Sequence, residues 1–242
     1  MIELGENERL DDLELKGRRI IQNRAEFCFG IDAVLLAHFP RWHRRAKVLD
    51  LGTGSGVIPL IIADEVAHIE AIELNPALAD LARRNIELNG LTDKINLRVG
   101  DLRRLREIAV RRDFDWVTAN PPYWPKETGK LNQTVGQVMA RHEITATLLD
   151  VIGAARHALK FGGRLAMIHL PGRLQEIMGA LKAQNFAVKR LQLIQPQPGK
   201  PPNLALIEAK RGAKEGITFL PTLNIRDNNG EYTDEIKKIY GK

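Results

Sequence analysis

Two short stretches of the 242-residue chain hold residue types able to do chemistry. The first is Asp50-Leu51-Gly52-Thr53-Gly54-Ser55-Gly56. Three glycines in five residues let a backbone approach a ligand closely and offer it free amides. Glu73 stands 21 positions after Gly52, where a carboxylate can accept hydrogen bonds from both hydroxyls of a ribose. Asp101, in Gly100-Asp101-Leu102, can accept from an adenine amino group. Each acid alone reads as a solvated side chain. With the glycine turn they describe a nucleoside-binding edge.

The second stretch is Asn120-Pro121-Pro122-Tyr123. An amino group conjugated to an aromatic ring is a poor nucleophile, because its lone pair is delocalised into the ring. Acceptors that bind its two protons favour the pyramidal geometry of the transition state. Asn120 offers its side-chain carbonyl and Pro121 its backbone carbonyl, while two prolines hold the backbone and supply no amide donors. Tyr123 can stack on the face of a base. A strong general base is unnecessary, since the product cation loses its proton readily.

These stretches need a scaffold that brings strand ends together. Short apolar runs predict strands over Lys47–Leu51, His68–Glu73, Ile95–Val99, Phe114–Ala119 and Arg164–His169. Asn75-Pro76 opens a helix that Asn89-Gly90 stops. Further helices are expected over Thr145–Leu159, ended by Phe161-Gly162-Gly163, and over Leu174–Gln184. Val188–Ile194 and Leu204–Ala209 read as an antiparallel edge hairpin around a proline-rich loop. The alternation predicts an α/β fold, a Rossmann-like and mostly parallel seven-stranded sheet with helices on both faces. Ligands then collect at the carboxyl ends of the strands. Residues 1–45 read as an N-terminal extension covering the cofactor edge and 46–215 as the catalytic domain. Residues 216–242 form a tail whose short helix is capped by Thr233.

Composition excludes several classes. The chain is 44% apolar and 27% charged, which argues against disorder of the whole chain. Its longest apolar run, Val57 to Ala63, is far below a membrane span, and the N-terminus lacks a secretory pattern. One cysteine, Cys28, supports neither an internal disulfide nor a multi-thiolate metal site. A cytoplasmic monomer without metal is expected. The net charge of +6 is uneven: residues 161–215 carry nine basic side chains against three acidic. That asymmetry suits a phosphate-rich partner, although an ordinary solvated surface would also account for it.

From Val48 to Gly56, with Glu73 and Asp101 in the expected places, the chain resembles the class I S-adenosylmethionine-dependent methyltransferases. The rival from the same geometry, a nicotinamide dehydrogenase, requires G-x-G-x-x-G, and Val57 stands where its last glycine would be. The resemblance implies S-adenosylmethionine as cofactor, held by Asp50, Gly52, Thr53, Gly54, Gly56, Glu73, Asp101, Leu102 and Asn120. The Asn-Pro-Pro-Tyr turn resembles the amino-methylating subset: adenine N6 enzymes, ribosomal RNA guanine N2 enzymes, and glutamine N5 enzymes of release factors. Tyr123, rather than Phe, leans toward adenine or glutamine.

Residues 4–13, Phe27–Ala37, Ala140–Glu143 and Tyr232–Ile236 resemble the bacterial tRNA1(Val) adenine-37 N6-methyltransferase family. This implies methylation of a tRNA adenine, with Asn120 and Pro121 holding the amine and Tyr123 stacking on the base. It also implies that Phe27–Asp32 closes the cofactor site, adding Phe29 and Asp32, though Asp32 reads equally as a helix-cap carboxylate. His142 and Glu143 are read as structural or RNA-facing. Trp124–Gln137 departs from the family and, with Lys126 and Lys130, reads as a substrate loop. A non-catalytic nucleic-acid module is disfavoured by the joint presence of Asp50, Glu73, Asp101 and Asn120.

Overall fold

The structure, a computed structural model, describes residues 3–26, 28–108, 113–121, 123 and 146–242. The chain opens with an antiparallel pair, β1 (Glu8–Asp12) and β2 (Arg19–Asn23). Helix α1 (Ile31–His38) follows, and its run Ala33–Ala37 is buried throughout. Strand β3 (Lys47–Leu51) then leads through the glycine turn into α2 (Val57–Ile62). After β4 (His68–Glu73), Asn75 caps α3 (Pro76–Leu88) by accepting from the amide of Ala77. Next come β5 (Ile95–Val99), a 3-10 turn at Leu102–Arg104, and β6 (Phe114–Ala119).

Thr147 and Asp150 form a reciprocal capping box for α4 (Leu148–Ala158), which passes directly into β7 (Leu159–His169). Helix α5 (Leu174–Ala183), β8 (Phe186–Gln195) and β9 (Leu204–Arg211) follow. The tail adds β10 (Thr218–Phe219), β11 (Leu223–Asn224) and α6 (Asp234–Ile239), the last capped by Thr233.

The sheet runs β5-β4-β3-β6-β7-β9-β8, with β10 and β11 both on the outer side of β8. Strands β3 to β7 are parallel, and β9 is antiparallel to both β7 and β8. Side chains alternate between two cores, as the two-residue repeat of a strand requires. Val48, Ile69, Trp116, Ala166 and Ile168 face α1 and α2. Leu49, Ile72, Val117, Leu165 and Met167 face α4 and α5. Both faces are thus covered, as a largely parallel sheet demands.

Two expectations are corrected. The antiparallel pair β8 and β9 is not a bare edge, because the tail adds β10 and β11 beyond it. Pro221, between those two strands, has no amide to donate and divides them. Phe161-Gly162-Gly163 does not end a helix; it lies inside β7, where the register with β6 shifts between Phe114 and Trp116. Gly162 has φ +79°, and a Cβ on Gly163 would come within 2.9–3.1 Å of Leu159, Lys160 and Phe114, so this irregularity needs glycine. In the N-terminal segment, α1 packs into the core against α2.

Asn85 ties that segment down. It lies within the apolar stripe of α3 and is fully buried. It accepts from the Ile21 amide at 2.6 Å and donates to the carbonyls of Ile21 and Ser55, each at 3.0 Å. One carboxamide thereby joins β2, α3 and the glycine turn.

Candidate active site

The chain adds β4 and β5 on one side of β3 and then returns to its other side with β6. At this reversal Leu51 lies opposite Ala119. Gly52 and Asn120 therefore leave the sheet side by side, from strands about 4.8 Å apart. On the other side Leu51 pairs with Ile72, and the next residue, Glu73, pairs with Val99. The glycine turn, both acids and the Asn120 turn thus all sit at the carboxyl end of the sheet.

Gly52, Gly54 and Gly56 have φ of +69°, +58° and +88°, values that side chains resist. A Cβ built on Gly52 or Gly54 would meet nothing within 4 Å, so the space above the turn is open. Glu73 is 8% exposed and braces the turn from below. Its carboxylate accepts from the amides of Gly54, at 2.8 Å, and of Leu74 and Asn75, at 2.9 Å each. A carboxylate has about four acceptor directions, so this bracing is compatible with binding hydroxyls as well.

Asp50 is 1% exposed at the end of β3. Thr118, opposite it on β6, donates to Oδ1 at 2.6 Å. Asp50 Oδ2 and Thr53 Oγ1 are buried without a properly formed hydrogen bond among the described residues. Burial pushes the Asp50 carboxyl up to about 6, against the opposing effect of the Thr118 and Thr53 hydroxyls, with the Glu73 charge adding to the rise. Buried and underbonded, these groups suit a polar or cationic ligand entering above the turn.

Asp101 caps the Leu102–Arg104 turn, accepting from the Arg103 amide at 2.9 Å. The Arg103 guanidinium also grips its carboxylate, at 2.5 to 2.9 Å, and holds its pKa below the usual range. An adenine amino group would meet an acceptor already shared with Arg103. Leu102 packs, half-buried, on the core beside α4. Phe29 packs on the opposite core, its amide donating to Gln22 at 3.2 Å.

Asn120 and Tyr123 meet Asp32, which lies in the first turn of α1. Tyr123 Oη donates to Asp32 Oδ2 at 2.6 Å, and Asn120 Nδ2 donates to the same oxygen at 3.1 Å. Burial and the Asp32 charge push the Tyr123 phenol well above its ordinary range, so it stays protonated. Pro121 is half-buried beside Asn120. Pro122, Phe27, Trp124–Gln137 with Lys126 and Lys130, and Ala140–Glu143 with His142 lie outside the described residues.

Sequence reasoning missed Thr118, Asn85, His169 and Arg173. His169 is the last residue of β7 and Asn120 directly follows β6, and that nearness of both to a strand end was a readable signal. Its ring is 1% exposed and lies 5.4 Å from the Tyr123 ring, tilted by 58°. Burial, then the Arg173 charge, lower its pKa to about 4, so it is neutral at pH 7. Arg173 donates to the Tyr123 carbonyl at 3.1 Å and pairs with Glu176. Thr118 is legible only from the strand register. A separate cavity of about 300 Å³, lined by Asp115, Trp116, Arg164, Arg190 and Glu208 among others, shares no residue with this site.

Open space over two glycines, with orphaned polar atoms at Asp50 and Thr53, fits the cofactor named by the resemblance. The family profile described as methyltransferase small domain matches residues 29–184. A Porphyromonas gingivalis protein named tRNA1(Val) (adenine(37)-N6)-methyltransferase is 30% identical over 220 residues, spanning 87% of this chain and 86% of its own. A Histophilus somni protein of the same name is 29% identical over 231 residues, 94% of each chain. The crystal structure of a predicted O-methyltransferase from Agrobacterium tumefaciens shares the fold, with a TM-score of 0.71 at 23% identity over 87% of this chain and 95% of that one. On this coverage and identity the chain belongs to the methyltransferase small domain family and, within it, to the family of the tRNA1(Val) (adenine(37)-N6)-methyltransferases.

Proposed function

We propose that this chain transfers the methyl group of S-adenosylmethionine to the exocyclic N6 amino group of a tRNA adenine, at position 37, and does so as a cytoplasmic monomer. The observation that carries the reading is the adjacency of Gly52 and Asn120 at the reversal of the sheet. A cofactor over the glycine turn and an amine at the Asn120 turn would then meet across neighbouring strand ends. The relatives' printed names supply the substrate class.

When bound, the cofactor supplies a methyl carbon on a positively charged sulfur. The protein's part is to bind, orient and exclude. Glu73 and Asp101 accept from the nucleoside portion, and Leu102 packs beside it. Gly52, Gly54 and Gly56 admit it against the backbone, while Asp50 and Thr53 receive a polar group below. Phe29 and Asp32 belong to the N-terminal segment, residues 1–45, which closes this edge of the catalytic domain, 46–215; the tail is 216–242. Asn120 Oδ1 and the Pro121 carbonyl accept the two amine protons, which draws the lone pair out of the ring. Tyr123 flanks the base. Much of the acceleration would come from holding the amine in line with the methyl donor.

The RNA partner is supported by the charge distribution. The three acids of residues 161–215 are each consumed in ion pairs: Glu176 with Arg173, Glu208 with Arg164 and Arg190, Glu215 with Lys182. Of the five basic side chains that remain, Lys189 and Arg211 donate to backbone carbonyls, and Lys200 lies in the loop that follows the carboxyl end of β8, the end of the sheet that holds the glycine turn.

Asn120→Ala should abolish turnover while calorimetric binding of S-adenosylmethionine persists. Wild-type rates in that variant would remove the turn from the chemistry. Labelled cofactor offered with total tRNA or with release factors separates adenine from glutamine as acceptor. Nucleoside mass spectrometry of tRNA from cells with and without the protein then locates the product.

A further inference from the structure

We infer that Asp32 is a positioning residue for the amine-binding turn: its carboxylate orients the Asn120 carboxamide and keeps the Tyr123 proton off the oxygen that receives the substrate amine. This rests on the proposed role of Asn120 Oδ1 as acceptor, and it gives Asp32 a task other than contacting the cofactor.

Both oxygens of Asp32 are committed by geometry. Oδ1 accepts from the Ala33 amide at 2.9 Å, in the first turn of α1, where Gly30 provides no side-chain cap. The helix N-terminus favours a negative charge there. Oδ2 accepts from Tyr123 Oη at 2.6 Å and from Asn120 Nδ2 at 3.1 Å. Tyr123 Oη is also 3.0 Å from Asn120 Oδ1. A phenol has one proton to give. The shorter bond, to a charged acceptor, takes it. Asn120 Oδ1 therefore faces the phenol oxygen without receiving its proton, and its lone pairs remain available.

Tyr123 is meanwhile held by Arg173 at its carbonyl and by the His169 ring, so it does not swing away when Asp32 changes. Without the carboxylate, the phenol proton turns to Asn120 Oδ1. The catalytic acceptor is then occupied, and nothing holds the amide nitrogen on the far side.

The test is a double-mutant cycle in the full chain: Asp32→Asn, Tyr123→Phe and the pair together, with kcat and cofactor Kd measured for each. Asp32→Asn should lower kcat about 10- to 100-fold, leaving the S-adenosylmethionine Kd within about twofold. Adding Tyr123→Phe should recover at least about threefold over Asp32→Asn alone, because the competing donor is gone. Two results would overturn the inference: a weakened Kd at unchanged kcat, which assigns Asp32 to the cofactor, or single losses that simply multiply in the double variant. If Asp32→Asn fails to fold, Asp32→Ala takes its place in the same cycle. The cycle is read on whichever acceptor the wild type methylates, so a wrong tRNA assignment leaves the test of Asp32 intact.

Discussion

Asp50 lies one residue before the end of β3 with 1% of its surface exposed, one oxygen bonded to Thr118 and the other without a properly formed hydrogen bond among the described residues. Burial raises its pKa from 3.8 to about 6. Between those values the folded protein holds a proton that the unfolded chain has released. Stability therefore falls as pH rises through this window and stays lower by a constant amount above it. A displacement of about two pH units at 1.36 kcal/mol each makes the loss about 3 kcal/mol. Asp50→Asn keeps the shape and an acceptor for Thr118 while removing the charge. The stability of the variant relative to wild type should then rise by about 3 kcal/mol from pH 3 to pH 7. Taking the difference cancels the titrating groups that do not interact with Asp50.

Urea unfolding of both proteins at four pH values measures this directly, with the m-value checking that the transition is comparable. The same variant should bind S-adenosylmethionine more weakly, because a buried charge that costs stability persists where a ligand uses it. A stability difference that is flat with pH would refute the claim that a buried, underbonded carboxylate ionises at this strand end.

Two further outcomes follow from the same contacts. Asn85→Ala leaves the Ile21 amide and the carbonyls of Ile21 and Ser55 without their partner, which should cost about 3 kcal/mol and lower Tm by about 6–12 °C; a loss below about 1 kcal/mol in thermal melts would show the contacts to be replaceable. The affinity for tRNA should fall at least about tenfold between about 50 and 200 mM salt, since the basic excess tracks phosphates, whereas a flat response in filter binding returns those charges to an ordinary solvated surface.

Local rules acting on neighbouring residues made the elements legible. Lys47–Leu51, His68–Glu73, Ile95–Val99 and Phe114–Ala119 read as strands from their short apolar runs, and each of these spans matches the structure. Asn75-Pro76 and Thr233 announce helix starts because a cap acts within one turn. The register shift at Gly162-Gly163 was misread, since a glycine pair has the same local freedom in a helix terminus as in a bulge. The carboxyl-end acids and the Asn120 turn could be named as a site, but not assembled.

Assembly belongs to residues far apart in the chain. Thr118 on Asp50, Asn85 under Ser55, and Asp32 beneath Asn120 and Tyr123 span 68, 30 and 88–91 positions. No periodicity encodes such pairs, because they depend on which strand neighbours which and in what register. By itself the sequence determined the groups that can bind a nucleoside and an amine. Only the tertiary structure decided that the Tyr123 hydroxyl donates to Asp32: hydrogen bonds act over about 3 Å, and packing alone sets distances that small between remote residues.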